Sequence, residues 1–299
     1  MSLPRFYHEP LRPGELTLEP AEARHAAGAR RLGAGDQVEL FDGQGQVAIA
    51  TLLPTEARRA RSGALRVLVS EVSRAPPPSA QLTLIVAACK GPRLTWMVEK
   101  CTELGVARIL LADFERSVVR VGEAHLDKLR RTAIEACKQC RRAWLPELAG
   151  AGPWSGPWTA VPACQAEPWT AGAPAGQADP WTAGAPARQT QEWTAGALAC
   201  FSQPLIVATP DPQARPLGQC LRMAAQGRET SASSAAPGGG SPWGVRVVVG
   251  PEGGLSEREL ERLRAVGAIP ARLSPNILRV ETAAICVAAA WSEVLLGAS

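Results

Sequence analysis

The stretch Val245-Arg-Val-Val-Val-Gly-Pro-Glu-Gly-Gly-Leu-Ser-Glu-Arg-Glu-Leu260 decides the fold. Its opening β-branched run is the composition of a strand buried on both faces. The Gly250-Pro-Glu-Gly-Gly turn follows at once, and the helix after it is strongly marked. Ser256 is a capping residue, Glu259 three positions on completes a capping box, and Leu255 with Leu260 can form a hydrophobic staple. Strand, glycine turn and capped helix in succession predict an α/β fold. Two uses of the turn stay open on this stretch alone. It is either an ordinary connection or a place where backbone amides approach a ligand, since glycine has no Cβ and tolerates positive φ.

Upstream the texture is the same. Leu82-Thr-Leu-Ile-Val-Ala-Ala predicts a buried strand, and the spacing of Leu94, Met97, Val98, Cys101 and Leu104 predicts a helix ending at Gly105. Ala107-Arg-Ile-Leu-Leu-Ala reads as another strand, and a second helix is expected from Leu126 to about Trp144. The window Lys90 to Arg142 holds 12 basic and 7 acidic residues, a surplus larger than the net charge of the whole chain, +4. Before all this, residues 1 to about 75 alternate as short strands, with Asp42-Gly-Gln-Gly as a turn between Gln37–Phe41 and the run from Gln46. The Pro76-Pro-Pro break ends that β-rich module, because prolines favour extended geometry and donate no ladder hydrogen bonds. A domain boundary is therefore placed near residue 75, and the second domain is taken as residues 80–299.

A chain of 299 residues with 46% apolar and 20% charged residues has material for about two domains. The small net charge excludes a histone-like polybasic protein. Of the basic residues, four are lysines and 28 are arginines, whose fork suits phosphate and points weakly to an anionic partner. The N-terminus lacks a signal-peptide pattern, and the longest apolar run, Ala283 to Trp291, is nine residues, so a cytoplasmic protein that does not span a membrane is expected. Eight scattered cysteines read as reduced thiols, and Cys137 with Cys140 has no second pair at zinc-ribbon distance, so no metal is expected. Residues about 150–200 repeat Trp-Thr-Ala-Gly-Ala at Trp169, Trp181 and Trp193. Poor in aliphatics and rich in Gly and Pro, they read as a low-complexity insertion. A second loop is expected at about 226–242.

Several common chemistries are absent from the sequence. No G-x-G-x-x-G follows a strand, and there is no P-loop, H-E-x-x-H or G-x-S-x-G. Past the glycine turn, Ala271-Arg-Leu-Ser-Pro-Asn-Ile-Leu-Arg-Val-Glu-Thr-Ala-Ala places a short strand, a turn and an Ala-rich final helix. Arg279 and Glu281 flank the start of that helix. They are either an ion pair that favours the first turn or a pair that works on a substrate.

Taken in order, the motifs resemble one family, the RsmE methyltransferases, which modify a uridine of small-subunit (16S) ribosomal RNA. The matching residues are Arg5-Phe6, His25, Arg31-Leu32, Gly35-Asp36, Lys90, Glu99-Lys-Cys-Thr-Glu-Leu-Gly-Val, Arg116-Ser-Val-Val, Glu135-Ala, Gln139, Arg142, Pro146, Gly250-Pro-Glu-Gly-Gly-Leu-Ser and Leu278-Arg-Val-Glu-Thr-Ala. The resemblance implies a PUA-like β-barrel followed by a SPOUT domain, an α/β domain with a C-terminal deep trefoil knot, and a homodimer that completes the site. It implies S-adenosyl-L-methionine as cofactor, held by loops around Thr209, Gly250 to Gly254 with Gly250 and Gly253, and Leu273 to Leu278. It places RNA contacts at Arg5, Arg31, Lys90, Arg116 and Arg142, and catalytic roles at Arg279 and Glu281. The reaction it implies is methylation of uridine N3. A SPOUT ribose 2′-O-methyltransferase and a non-catalytic ribosome-assembly protein are the alternatives. The Leu-Arg-x-Glu-Thr-Ala run speaks against the first, and the intact glycine turn speaks against the second.

Overall fold

Period-two burial in the N-terminal module produces a five-stranded sheet in the order β1-β3-β4-β5-β2, in which β1 (Arg5–Tyr7) pairs parallel with β3 (Gln37–Phe41). The other neighbours, β4 (Gln46–Leu52), β5 (Leu65–Arg74) and β2 (Gly14–Leu18), pair antiparallel. Along β5, Val67 and Val69 are buried while Leu68 is exposed, so one face packs on a small core of Phe6, Leu16, Leu18, Leu40 and Leu52. The computed structural model describes residues 3–20, 22–23, 32–54, 65–153, 203–231 and 243–297. Arg31, the Trp repeats and residues 232–242 of the second loop lie outside them.

The rest of the chain forms one seven-stranded sheet in the order β10-β12-β9-β11-β6-β7-β8, with every pairing parallel. Its strands are β6 (Ala80–Ala87), β7 (Arg108–Asp113), β8 (Glu147–Pro153), β9 (Leu205–Ala208), β10 (Arg215–Pro216), β11 (Trp243–Val249) and β12 (Ile269–Arg272). Five helices accompany them: α1 (Pro92–Glu103), α2 (Glu123–Cys140), α3 (Leu217–Ser231), α4 (Glu257–Ala265) and α5 (Val280–Gly297). The helices α2, α1, α5 and α3 pack side by side in that order. Helix α5 is long and apolar enough by composition to cross a membrane, but its apolar residues Val280, Ala284, Val287, Ala288 and Trp291 are buried in the core. Trp291 also packs against Trp243, with ring centroids 5.0 Å apart and the rings tilted by 57°.

Three elements differ from the sequence expectation. Helix α2 begins at Glu123 and stops at Cys140, where Arg141 turns left-handed with φ 61. That conformation is unfavourable for a residue with a Cβ, and the Arg141 guanidinium is held in place by Glu39. Helix α3 runs six residues into the expected loop and ends at Ser231, although its Ala- and Gly-containing sequence has little apolar periodicity. The strand β8, Glu-Leu-Ala-Gly-Ala-Gly-Pro, has no β-branched residue and sits at the sheet edge, where its terminal proline is tolerated.

The two sheets meet at the Asp42 turn. Asp42 Oδ1 accepts from the backbone N–H of Gln44 (2.7 Å) and Gln46 (3.0 Å), which shapes a loop with Gly43 and Gly45 at positive φ. The backbone then bonds across to the second body: Leu145 N–H to Gly43 O at 2.9 Å, and Gly45 N–H to Ala143 O at 3.1 Å. A Cβ at Gly45 would lie 2.2 Å from the Trp144 ring, so only glycine fits. Lys138 reaches Glu22 at 2.8 Å in a buried ion pair beside this contact.

Candidate active site

All seven strands of the large sheet are parallel, so their carboxyl ends share one edge. The expected cofactor loops emerge there from three neighbouring strands: Thr209 from β9, Gly250 to Gly254 from β11, and Leu273 to Leu278 from β12. Lys90 follows β6, and Arg116 follows β7. The adjacent pair β6 and β11 is a switch point, since the chain leaves β6 toward β7 on one side and leaves β11 toward β12 on the other. In parallel α/β sheets a ligand crevice forms outside such a point.

The glycine turn is held from three sides. The capping box is complete: Ser256 N–H donates to Glu259 Oε2 at 2.7 Å, and Glu259 N–H donates to Ser256 Oγ at 3.3 Å. Glu259 is 0% exposed, and its other oxygen accepts from Glu115 N–H at 2.8 Å, which binds the loop after β7 to the start of α4. Arg116 Nη1 donates to Gly253 O at 2.8 Å. The position that requires glycine is Gly254, with φ +70, whereas a Cβ at Gly253 meets Arg116 at an ordinary 3.4 Å. A Cβ at Gly250 would come within 3.0 Å of Leu255.

Thr209 spends its N–H on Ala271 O at 3.0 Å, and its Oγ1 accepts from Asp211 N–H. Leu273 and Leu278 are half-buried against the core, on either side of a turn in which Asn276 N–H donates to Ser274 Oγ. Arg279 is exposed and forms no ion pair among the described residues, while its carbonyl accepts from Ala283 N–H at 2.8 Å in the first turn of α5. Glu281 is only 5% exposed. Its cationic partner is Arg93, not Arg279: Arg93 Nε lies 3.6 Å from Glu281 Oε1, and Arg93 Nη1 lies 3.9 Å from Glu252 Oε1 on the glycine turn. Glu281 Oε2 is buried with no hydrogen-bond partner. Cys89 adjoins this group, and burial, reinforced by the Glu281 charge, pushes its thiol up to about 11, so it stays protonated at neutral pH.

Two expected RNA contacts are turned inward instead. Arg5 is buried, pairs with Glu39 at 3.3 Å, lies over the Phe41 ring at 4.4 Å and donates to Cys137 O. Arg142 donates to Thr102 O at 3.2 Å, in the last turn of α1, and to Val106 O at 2.7 Å, just past its end. Neither guanidinium faces outward for a phosphate. Lys90 and Arg116 are exposed, and Arg31 is outside the described residues. Arg93 escaped the sequence reading, because nothing local links it to Glu281.

The profile of a family described as "RNA methyltransferase domain" matches residues 76–156 and 217–292, more than half of the chain. The chain belongs to the RNA methyltransferase family. In this RNA methyltransferase, residues 18–60 also match a family described as "RNA methyltransferase PUA domain". A curated protein of Mycobacterium tuberculosis named "Ribosomal RNA small subunit methyltransferase E" is 27% identical over 267 residues, which cover 88% of this chain and 80% of that one. Among solved structures, a probable rRNA-methyltransferase from Porphyromonas gingivalis is similar in fold, with a TM-score of 0.68 at 22% identity, covering 99% of this methyltransferase and 100% of that chain. The ribosomal RNA small subunit methyltransferase E from Neisseria gonorrhoeae, crystallised bound to S-adenosyl methionine, is similar with a TM-score of 0.65 at 22% identity, covering 98% of each chain.

Proposed function

We propose that this RNA methyltransferase transfers a methyl group from S-adenosyl-L-methionine to N3 of one uridine in 16S rRNA of the small ribosomal subunit. The name of the M. tuberculosis relative supports the RNA class, and the ligand of the N. gonorrhoeae protein supports the cofactor. The observation that carries the chemistry is a buried carboxylate, Glu281, with one oxygen in an ion pair and the other free.

The site fits such a cofactor, because the space over Gly254 is free to 4.0 Å and two carboxylates, Glu252 and Glu281, lie where a cation would be favoured. Thr209, Gly250, Gly253, Leu273 and Leu278 would hold it, and when bound it supplies an electrophilic methyl group. The uracil N3 proton has a pKa above neutrality and must leave as the ring is methylated, which calls for a positioned base. Glu281 Oε2 takes that proton, while the exposed Arg279 orients the uracil or its phosphate. N3 lies on the pairing edge, so the target uridine enters unpaired or flipped out. The working form is a cytoplasmic homodimer that needs no metal. Ile277, 89% exposed beside Arg279, and the exposed Trp96 of α1 support a second copy covering this region. A trefoil knot in the C-terminal chain accords with the late entry of β11 between β6 and β9.

The deciding experiment incubates the protein with tritiated S-adenosylmethionine and small ribosomal subunits and maps the label. Label on N3 of a single uridine is expected. Label on a ribose oxygen would make the protein a 2′-O-methyltransferase, and RNA binding without label would make it an assembly factor.

Two further expectations follow from the geometry. Gly254→Val forces a β-branched residue into left-handed backbone and should raise the cofactor Kd by about tenfold or more, measured by calorimetry. Lys90→Ala should flatten the salt dependence of RNA binding by about one unit of slope, whereas Arg142→Ala should leave the slope unchanged and cost about 1–3 kcal/mol of stability by removing the side-chain donor to Val106 O.

A further inference from the structure

We infer that Arg93 is a positioning residue of the active site, which aims Glu281 and ties it to the glycine turn; this rests on the reading of Glu281 as the base. The placement of Arg93 is built into the backbone. Gly91 sits at φ +58 ahead of α1, and Pro92, fixed near the helical φ, occupies the start of the helix. The side chain therefore leaves from a stiff corner.

Helices α1 and α5 run parallel and are joined at both ends. Arg93 meets Glu281 near their N-termini, and eleven residues further along each helix Ser292 Oγ donates to Leu104 O at 2.7 Å. The two helices are thus pinned against sliding, and Glu281 stays opposite Arg93. The N-terminal dipoles of both helices also favour negative charge at this point.

A carboxylate this buried needs compensation, and one partner only half supplies it. Arg93 engages Oε1 and leaves Oε2 bare, so the guanidinium fixes which oxygen is available and where it points. The same guanidinium reaches Glu252 on the turn expected to hold the cofactor. The acceptor's base and the donor's loop therefore share one anchor. A planar fork can address two carboxylates through different nitrogens, and an ammonium presents only a point charge. Because Arg93 is about half exposed, at 47%, its replacement does not open the core.

A double-mutant cycle tests this role, with kcat, the KM values for RNA and S-adenosylmethionine, and melting temperature recorded for Arg93→Gln, Arg93→Lys, Glu281→Gln and Arg93→Gln/Glu281→Gln. Arg93→Gln should lower kcat by about tenfold or more with both KM values nearly unchanged, Arg93→Lys should recover part of the loss, and the double variant should be no slower than Glu281→Gln alone. Multiplicative losses, a loss confined to the KM for RNA, or a fall in melting temperature without a change in kcat would overturn the role of Arg93 and leave Glu281 as base. A silent Glu281→Gln would overturn the base reading itself, and the role of Arg93 with it.

Discussion

Glu281→Gln should reduce single-turnover methyl transfer by about a hundredfold or more while the protein remains folded and binds its cofactor. The substitution keeps the size and planarity of the side chain but removes the capacity to take a proton. Its cost to folding is small. The ion pair it dissolves has a half-exposed guanidinium on the other side, which water can solvate, and the helix-dipole contribution of a first-turn carboxylate is about 0.3–1 kcal/mol. The two roles open to Glu281 thus separate cleanly. A base loses rate, whereas a mere helix-start carboxylate keeps it and costs only about 0.3–1 kcal/mol of stability. Melting curves beside single-turnover rates decide between them, and a variant as fast as the parent would refute the base.

Glu259→Ala should have the largest effect on folding among the site's supports. One buried carboxylate accepts from Ser256 N–H and Glu115 N–H, and its removal leaves both donors without an acceptor. At about 1–3 kcal/mol for each stranded group, a loss of about 2–6 kcal/mol is expected, and the melting midpoint should fall by about 4–24 °C. The same loss unties the loop after β7 from the start of α4, so cofactor affinity should fall with stability. Glu259→Gln keeps one accepting oxygen and should be milder on both counts. An unchanged midpoint in the alanine variant would show that the capping box carries little of the turn's rigidity.

What the sequence announced and what it hid divide by distance along the chain. The unit from Val245 to Leu260 was legible because strand composition, glycines and capping box are neighbours, and the capping box appears in the structure as expected. The strands 82–88 and 107–112 were legible for the same reason: buried parallel strands are continuous apolar runs. Strand β8 and helix α3 were not, because their residues carry weak local preference and are fixed by the neighbours they pack against. In the site, the position of Glu281 at a helix start could be read, but its partner could not. Arg279 is two residues away and points outward, whereas Arg93 comes from a different helix and meets Glu281 only through tertiary packing. Arg5 and Arg142 show the converse: an arginine read in sequence does not reveal whether it faces phosphate or a buried carbonyl.

The seam at the Asp42 turn makes the protein a fixed gauge. Main-chain bonds cross it in both directions, the Trp144 ring fills the space over Gly45, and Lys138 is locked to Glu22, so the N-terminal module has no hinge on which to swing. The distance from the module to the crevice beyond β6 and β11 is therefore set in advance, like the span of a pair of callipers. Lengthening the Pro76–Pro78 connection without touching the seam should leave that reach unaltered, while Gly45→Ala, which forces the seam apart, should blur the choice of nucleotide before it slows the reaction.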